Sequence, residues 1–135
     1  MSSIGDDATV AIAVIAAITA FVTAWAAINA RNAQREATAK DIYRDYLKLA
    51  FQNPTLANPS DDPNKSEQYR WFVAFMLNSC DEIARTKSKD KNWRKTLRHD
   101  LRMHGNYLKS PQFVKDGGWG LYSRELKGIF DEALD

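Results

Sequence analysis

The sequence predicts an all-α fold, with one N-terminal transmembrane helix running on into a small cytosolic bundle of about four helices. Three observations carry that expectation. Residues 8–28 read ATVAIAVIAAITAFVTAWAAI and hold no charge, no proline and no glycine. Beyond them, apolar residues recur every three or four positions, the period of a helix with one buried face. No stretch alternates polar and apolar side chains as a half-buried strand would.

At a rise of 1.5 Å per residue, a run of about 21 residues makes a helix of about 32 Å, close to the hydrocarbon thickness of a bilayer. The mean hydropathy of the whole chain is nonetheless -0.48. Everything after the run is therefore strongly polar, and the shift marks a boundary between two solvents. Core helices of soluble proteins rarely run this long without a charge. Ala24-Trp25-Ala26 resembles a signal-peptidase site, but the preceding MSSIGDD carries two acids and no base where a signal peptide is basic.

Flanking charge sets the expected orientation. Asp6 and Asp7 precede the run, whereas Arg31, Arg35, Lys40, Arg44 and Lys48 follow it. Basic flanks stay on the cytoplasmic side. The expected division is residues 1–7 outside, 8–30 across the membrane and 31–135 in the cytosol. Trp25 then sits near the inner interface, where an amphipathic ring is at home. Arg31, Arg35 and Lys40 fall at the depth of lipid headgroups, where each basic residue contributes about 1 kcal/mol. Ala13, Ala16, Ala17, Ala20 and Ala24 form small-xxx-small pairs that permit close helix approach in lipid. They mark either a packing face for self-association or a partner span, or simply an alanine-rich anchor.

No breaker follows Ile28, so the first helix is expected to continue, with Ala39, Ile42, Tyr43, Tyr46, Leu49 and Ala50 on one face. Residues 53–65, NPTLANPSDDPNK, hold three of the four prolines and read as a loop. A second helix is expected over 66–85, with Tyr69, Phe72, Val73, Met76, Leu77, Cys80, Ile83 and Ala84 as its core stripe. Trp71 and Phe75 lie on its other side, which makes it either a central helix or the carrier of an aromatic contact surface. The central helix is the favoured reading. A third helix is expected over 92–108, with Trp93, Leu97, Leu101, His104 and Leu108 inward, ended by Ser110-Pro111. Its opposite side carries a basic ridge of Lys91, Lys95, Arg98, Arg102 and Lys109, flanked by Arg94. Gly117, Gly118 and Gly120 around Trp119 read as a turn with an aromatic plug. Ser123 is an N-cap for a last helix over 124–134, whose apolar face is Leu126, Ile129, Phe130 and Ala133.

The chain holds one cysteine, Cys80, which excludes an intrachain disulfide and fits a reducing compartment. No Walker loop, G-x-S-x-G, C-x-x-C or H-E-x-x-H motif is present. His99 and His104 are five apart and face different ways on a helix, so they cannot share a metal from one face. Neither a metal nor a cofactor is expected. Asp100 and His104 are i,i+4 neighbours, the spacing at which a carboxylate orients an imidazole as a general base. No nucleophile accompanies them, so a hydrogen-bonded packing pair is the favoured reading there. The basic ridge is either an ordinary solvated face or a contact surface, and as a contact surface it suits anionic lipid or an acidic protein better than nucleic acid, because the chain is already held at a membrane.

The pieces YRDYLKLAFQNPTLA, EQYRWFVAFMLNSCDEIA, W-x3-L-x2-D-L-x2-H-x2-YL-x-SP-x-F and GGWGLYSREL, spread over residues 43–126, resemble small bacterial single-pass membrane proteins with a helical domain of unknown function. The resemblance implies bacterial origin, an inner-membrane location and a helical domain behind an anchor. It brings no active-site residues with it.

Three functional expectations follow, in order. The first is a membrane-anchored adaptor, regulatory or assembly protein that binds a protein partner or an anionic lipid surface through Trp71, Phe75 and the basic ridge. The second is a small membrane-tethered enzyme using Asp100 and His104. The third is a membrane-active effector that oligomerises through its span.

Overall fold

A computed structural model of the chain describes residues 3–57 and 67–135. Among the described residues there is no strand. The elements are α1 (Ser3–Gln52), α2 (Pro54–Ala57), α3 (Glu67–Lys87), α4 (Lys91–Met103), α5 (Gly105–Leu108), α6 (Pro111–Lys115), a 3-10 turn (Gly118–Leu121) and α7 (Arg124–Leu134). Two compact units divide the chain at residue 35.

The first unit, Met1–Arg35, consists within the described residues of the N-terminal part of α1. Its large apolar side chains are all exposed: Ile12, Val14, Ile15, Ile18, Phe21 and Trp25 each leave half or more of their surface uncovered. The helix is long and apolar enough to cross a membrane by length and composition. α1 is unbroken from Ser3 to Gln52, as the absence of a glycine or proline between residues 6 and 53 requires.

The second unit, Glu36–Asp135, holds the core. α3, α4 and α7 pack against one another pairwise. The end of α1 joins them through Tyr43, whose ring meets Trp93 of α4 edge-on at 5.2 Å, and through Tyr46, 5.8 Å from Phe72 of α3. The apolar stripes set these contacts. Ala39, Tyr43 and Tyr46 of α1 are buried, as are all eight expected stripe residues of α3 and the four of α7. In α4 and α5, Leu97, Leu101, His104 and Leu108 are buried and Trp93 is half-buried.

Polar caps fix the ends of these helices. Asp90 caps α4 by accepting from the backbone N–H groups of Asn92 and Trp93. Ser123 caps α7 by accepting from Leu126 N, and it in turn donates its hydroxyl to Asp81 of α3. Asp81, almost fully buried, also accepts from Ser123 N at 3.0 Å and pairs with Arg85 at 3.1 Å. A buried carboxylate on α3 thus ties down the start of α7.

The helix expected over 92–108 is two helices. α4 ends at Met103, His104 leaves helical geometry at φ -109 and ψ 18, and α5 begins at Gly105. Glycine is a poor helix former, so the break falls beside Gly105. The expected loop over 53–65 contains the single turn α2, and residues 58–65 lie outside the described residues, as does Ser66, the expected start of the second helix. That helix runs on to Lys87, two residues past its expected end. The expected turn after Ser110-Pro111 begins with α6, capped by Ser110 Oγ with Pro111 at its first position. Gly117 has φ 119, a left-handed conformation that strains any residue with a side chain. Trp119 plugs the turn against Phe113 at 5.3 Å and Phe130 at 5.0 Å.

Candidate functional site

Asp100 and His104 are one turn apart in sequence, and the structure sends them to different partners. Asp100 Oδ2 accepts a hydrogen bond from the Tyr43 hydroxyl of α1 at 2.5 Å. His104 Nδ1 is hydrogen-bonded to Tyr69 Oη of α3 at 2.6 Å. Among the described residues, no hydrogen bond joins the carboxylate to the imidazole, so Asp100 does not orient His104 as a general-base pair would require. The reason lies in the break at His104, which turns its ring toward α3 while Asp100 faces α1.

Burial governs both groups. It lowers the His104 pKa to about 4, so the ring is neutral at pH 7. Burial raises the Asp100 carboxyl above its usual range, opposed by the Tyr43 hydrogen bond and the nearby His99. The hydroxyls of Tyr43, Tyr46 and Tyr69 are all pushed up, chiefly by burial, and remain protonated donors. Burial likewise pushes the Cys80 thiol up, with Asp100 and Asp81 adding to the effect, so this fully buried sulfur has no thiolate character. Asp100 and His104 therefore act as the polar half of two tyrosine contacts between helices.

The basic ridge is divided in two. Arg94 and Arg98 pair with Glu132 of α7, and Arg102 Nε donates to the carbonyl of Ala133 at 3.1 Å. These three arginines hold α7 against α4. Lys91, Lys95 and Lys109 stay exposed and have no such bond to α7, whereas Arg102 is exposed but tied to it. Nearer the N-terminus, Lys40 pairs with Glu36 at 2.9 Å, and Lys87 of α3 reaches the same carboxylate at 2.9 Å. That double pairing holds the Glu36 carboxyl below its usual range. Arg31 and Arg35 are exposed. Ala13, Ala16, Ala17, Ala20 and Ala24 are exposed as well.

Trp71 and Phe75 are one turn apart on α3 and do not enter the core. Trp71 is 70% exposed and Phe75 39%. The favoured central-helix reading is thereby corrected, because α3 buries one face and presents the other to solvent. Beside Trp71 lies a recess of about 210 Å³ lined by Glu67, Arg70, Trp71, Ala74 and Asp116. Arg70 reaches Asp116 at 3.5 Å, and its buried Nε has no hydrogen-bond partner. Asp116 is further held by the Tyr107 hydroxyl at 2.5 Å and by Gln112 at 3.0 Å. A large exposed ring, an arginine and a recess thus lie together on the solvent face of α3.

Sequence spacing did not reveal the Tyr43–Asp100 and Tyr69–His104 bonds, the tie of Ser123 to Asp81 or the Glu132 clamp. A buried tyrosine needs a hydroxyl partner, and that rule was the one signal available for the first pair.

Comparisons with protein families, characterised proteins and solved structures find no match to this chain.

Proposed function

We propose that the chain is a single-pass protein of the bacterial cell membrane, with residues 8–28 in the bilayer and a cytosolic helical domain that docks a protein partner. In this reading it is an adaptor or assembly subunit. The observation that carries the reading is the contrast between uncovered apolar surface and sealed polar groups. The N-terminal half of α1 leaves every large apolar side chain uncovered, and Trp71 stands 70% exposed beside the Arg70 recess. Patches of this kind on soluble monomers mark sites that another molecule or lipid covers. The candidate catalytic pair, by contrast, is taken up in interhelical hydrogen bonds.

Lipid contact falls to Arg31, Arg35 and the exposed lysines Lys91, Lys95 and Lys109. The bound arginines of the ridge are poor probes of that role. Arg98→Glu would set a carboxylate against Glu132 and loosen α7. The clean probe of lipid contact is Lys91→Glu with Lys95→Glu, which is expected to weaken pelleting with anionic vesicles and leave unfolding unchanged.

Partner docking is tested by extracting tagged protein in mild detergent at native expression and identifying co-purifying proteins by mass spectrometry. A stoichiometric partner that is lost from Trp71→Ala supports the reading. Its retention by Trp71→Ala with Phe75→Ala removes the aromatic face from the account. A chain that purifies alone overturns the adaptor role.

A further inference from the structure

A groove between α1 and α4, separate from the recess beside Trp71, combines two acids with an aromatic wall. It is a shallow groove of about 540 Å³, open to solvent, and its lining includes Tyr43 and Leu47 of α1, Asp90 at the N-cap of α4, and Trp93, Thr96 and Asp100 of α4. Among the described residues, no basic side chain lines it. Positions 93, 96 and 100 fall on one face of α4, and Tyr43 and Leu47 are one turn apart on α1. The wall between them is the edge-on Tyr43–Trp93 pair at 5.2 Å.

The two acids stand at the two ends. Ten residues separate Asp90 from Asp100, about 15 Å of helix rise. Each carboxylate uses one oxygen for the fold: Asp90 Oδ1 caps α4, and Asp100 Oδ2 accepts from Tyr43. The second oxygen of each is unengaged among the described residues. An acceptor at either end and aromatic and apolar surface between them are complementary to a long aliphatic chain with a cationic nitrogen near each end. Aromatic faces also attract ammonium groups. Burial raises the Asp100 carboxyl, and a cation beside it would oppose that shift by favouring the ionised form. A metal ion is a poorer fit, since no group of three or more His, Cys, Asp or Glu able to hold one occurs among the described residues.

We propose that this groove binds an extended aliphatic polyamine, one terminal ammonium at Asp100 and the other at Asp90, with the methylene chain along Trp93 and Leu47. The site lies wholly within the second unit and does not depend on the partner face.

The test is isothermal titration of spermine into the full-length protein in phosphatidylcholine nanodiscs, whose zwitterionic lipid gives the ligand no anionic surface. Saturable one-to-one binding is expected, and 1,12-dodecanediol, of similar length and no charge, is expected not to bind. Asp100→Asn keeps the acceptor for Tyr43, and Asp90→Asn keeps an N-cap of equal quality. Each is expected to weaken spermine binding about tenfold, the scale of one charge-assisted hydrogen bond. Asp131→Asn, which removes an exposed acid elsewhere, is expected to leave it unchanged. Trp93→Leu is expected to weaken binding while both carboxylates remain. No saturable heat with spermine, equal binding of the diol, or binding unaltered in both Asp→Asn variants would each overturn the proposal.

Discussion

Two stretches of the same helix follow different rules. Over residues 8–28, α1 is apolar on every side and no large apolar side chain is covered. Over residues 36–52 it is polar on most sides and buries one stripe, Ala39, Tyr43 and Tyr46. Helix propensity does not distinguish them, since both are rich in good helix formers. The difference lies in the surroundings each stretch is built for. The first has no use for a stripe if lipid meets it all round, whereas the second must choose the face that meets α3 and α4. Even the polar atoms divide this way: the second stretch carries tyrosine hydroxyls, and Tyr43 finds Asp100.

The sharpest way to break this comparison is to truncate one apolar side chain in each region. Leu101 is fully buried, so Leu101→Ala is expected to cost the domain about 2–5 kcal/mol. Val14→Ala, on the uncovered stretch, is expected to leave the domain's unfolding unchanged. Near-ultraviolet circular dichroism of the detergent-solubilised protein during a urea titration reads both. An equal loss in the two variants would mean that the N-terminal stretch packs on protein.

A titration of stability against pH sharpens the account of the polar groups. His104 falls from 6.5 to about 4 on folding. The unfolded chain therefore binds a proton first, and the neutral ring's contribution is complete above about pH 6.5 and lost as pH falls toward 4. Up to roughly 3 kcal/mol is at stake. The wild type is expected to lose more stability over that window than His104→Gln. Identical pH profiles would show that the imidazole is not sealed against Tyr69. Asp100 has the opposite sign. Its carboxyl is raised on folding, so its contribution is present at low pH and lost as pH rises through the raised value. Asp100→Asn is expected to flatten that loss.

Asp81→Ala comes next, at about 2 kcal/mol, because it leaves Ser123 and the start of α7 without their buried acceptor. Hydrogen exchange is expected to quicken in α7 before α3, and uniform quickening would contradict a local tie. The smallest effect on stability is expected from Trp71→Ala, within about 0.5 kcal/mol, as for surface positions generally. A larger loss would place that ring in the fold rather than at a docking face.

Periodicity made the buried stripes legible. In α3 and α7 every expected inward residue is buried, because a helix that packs on one side must repeat its apolar residues at 3.6. The break at His104 was not legible from that pattern, because Leu101, His104 and Leu108 keep helical spacing across two helices. Gly105 was the one local signal. The candidate site was read less completely. Exposure of Trp71 went against the favoured reading of a central helix, since an aromatic on the second face of a helix fits burial as well as docking and the spacing alone does not separate them. The fate of the ridge depended on Glu132, which sits at a distance of more than thirty residues and has no marker in local spacing. Pairings of that kind are decided by tertiary geometry alone.

The most direct test of the central claim is the topology of the two stretches, read by a membrane-impermeant maleimide on single cysteines. Native Cys80 is buried and serves as the silent background. The account predicts that Asp6→Cys is labelled in intact spheroplasts, that Lys95→Cys is labelled only after lysis, and that the chain resists alkaline carbonate extraction. A chain released by carbonate, or the reverse labelling order, would contradict it.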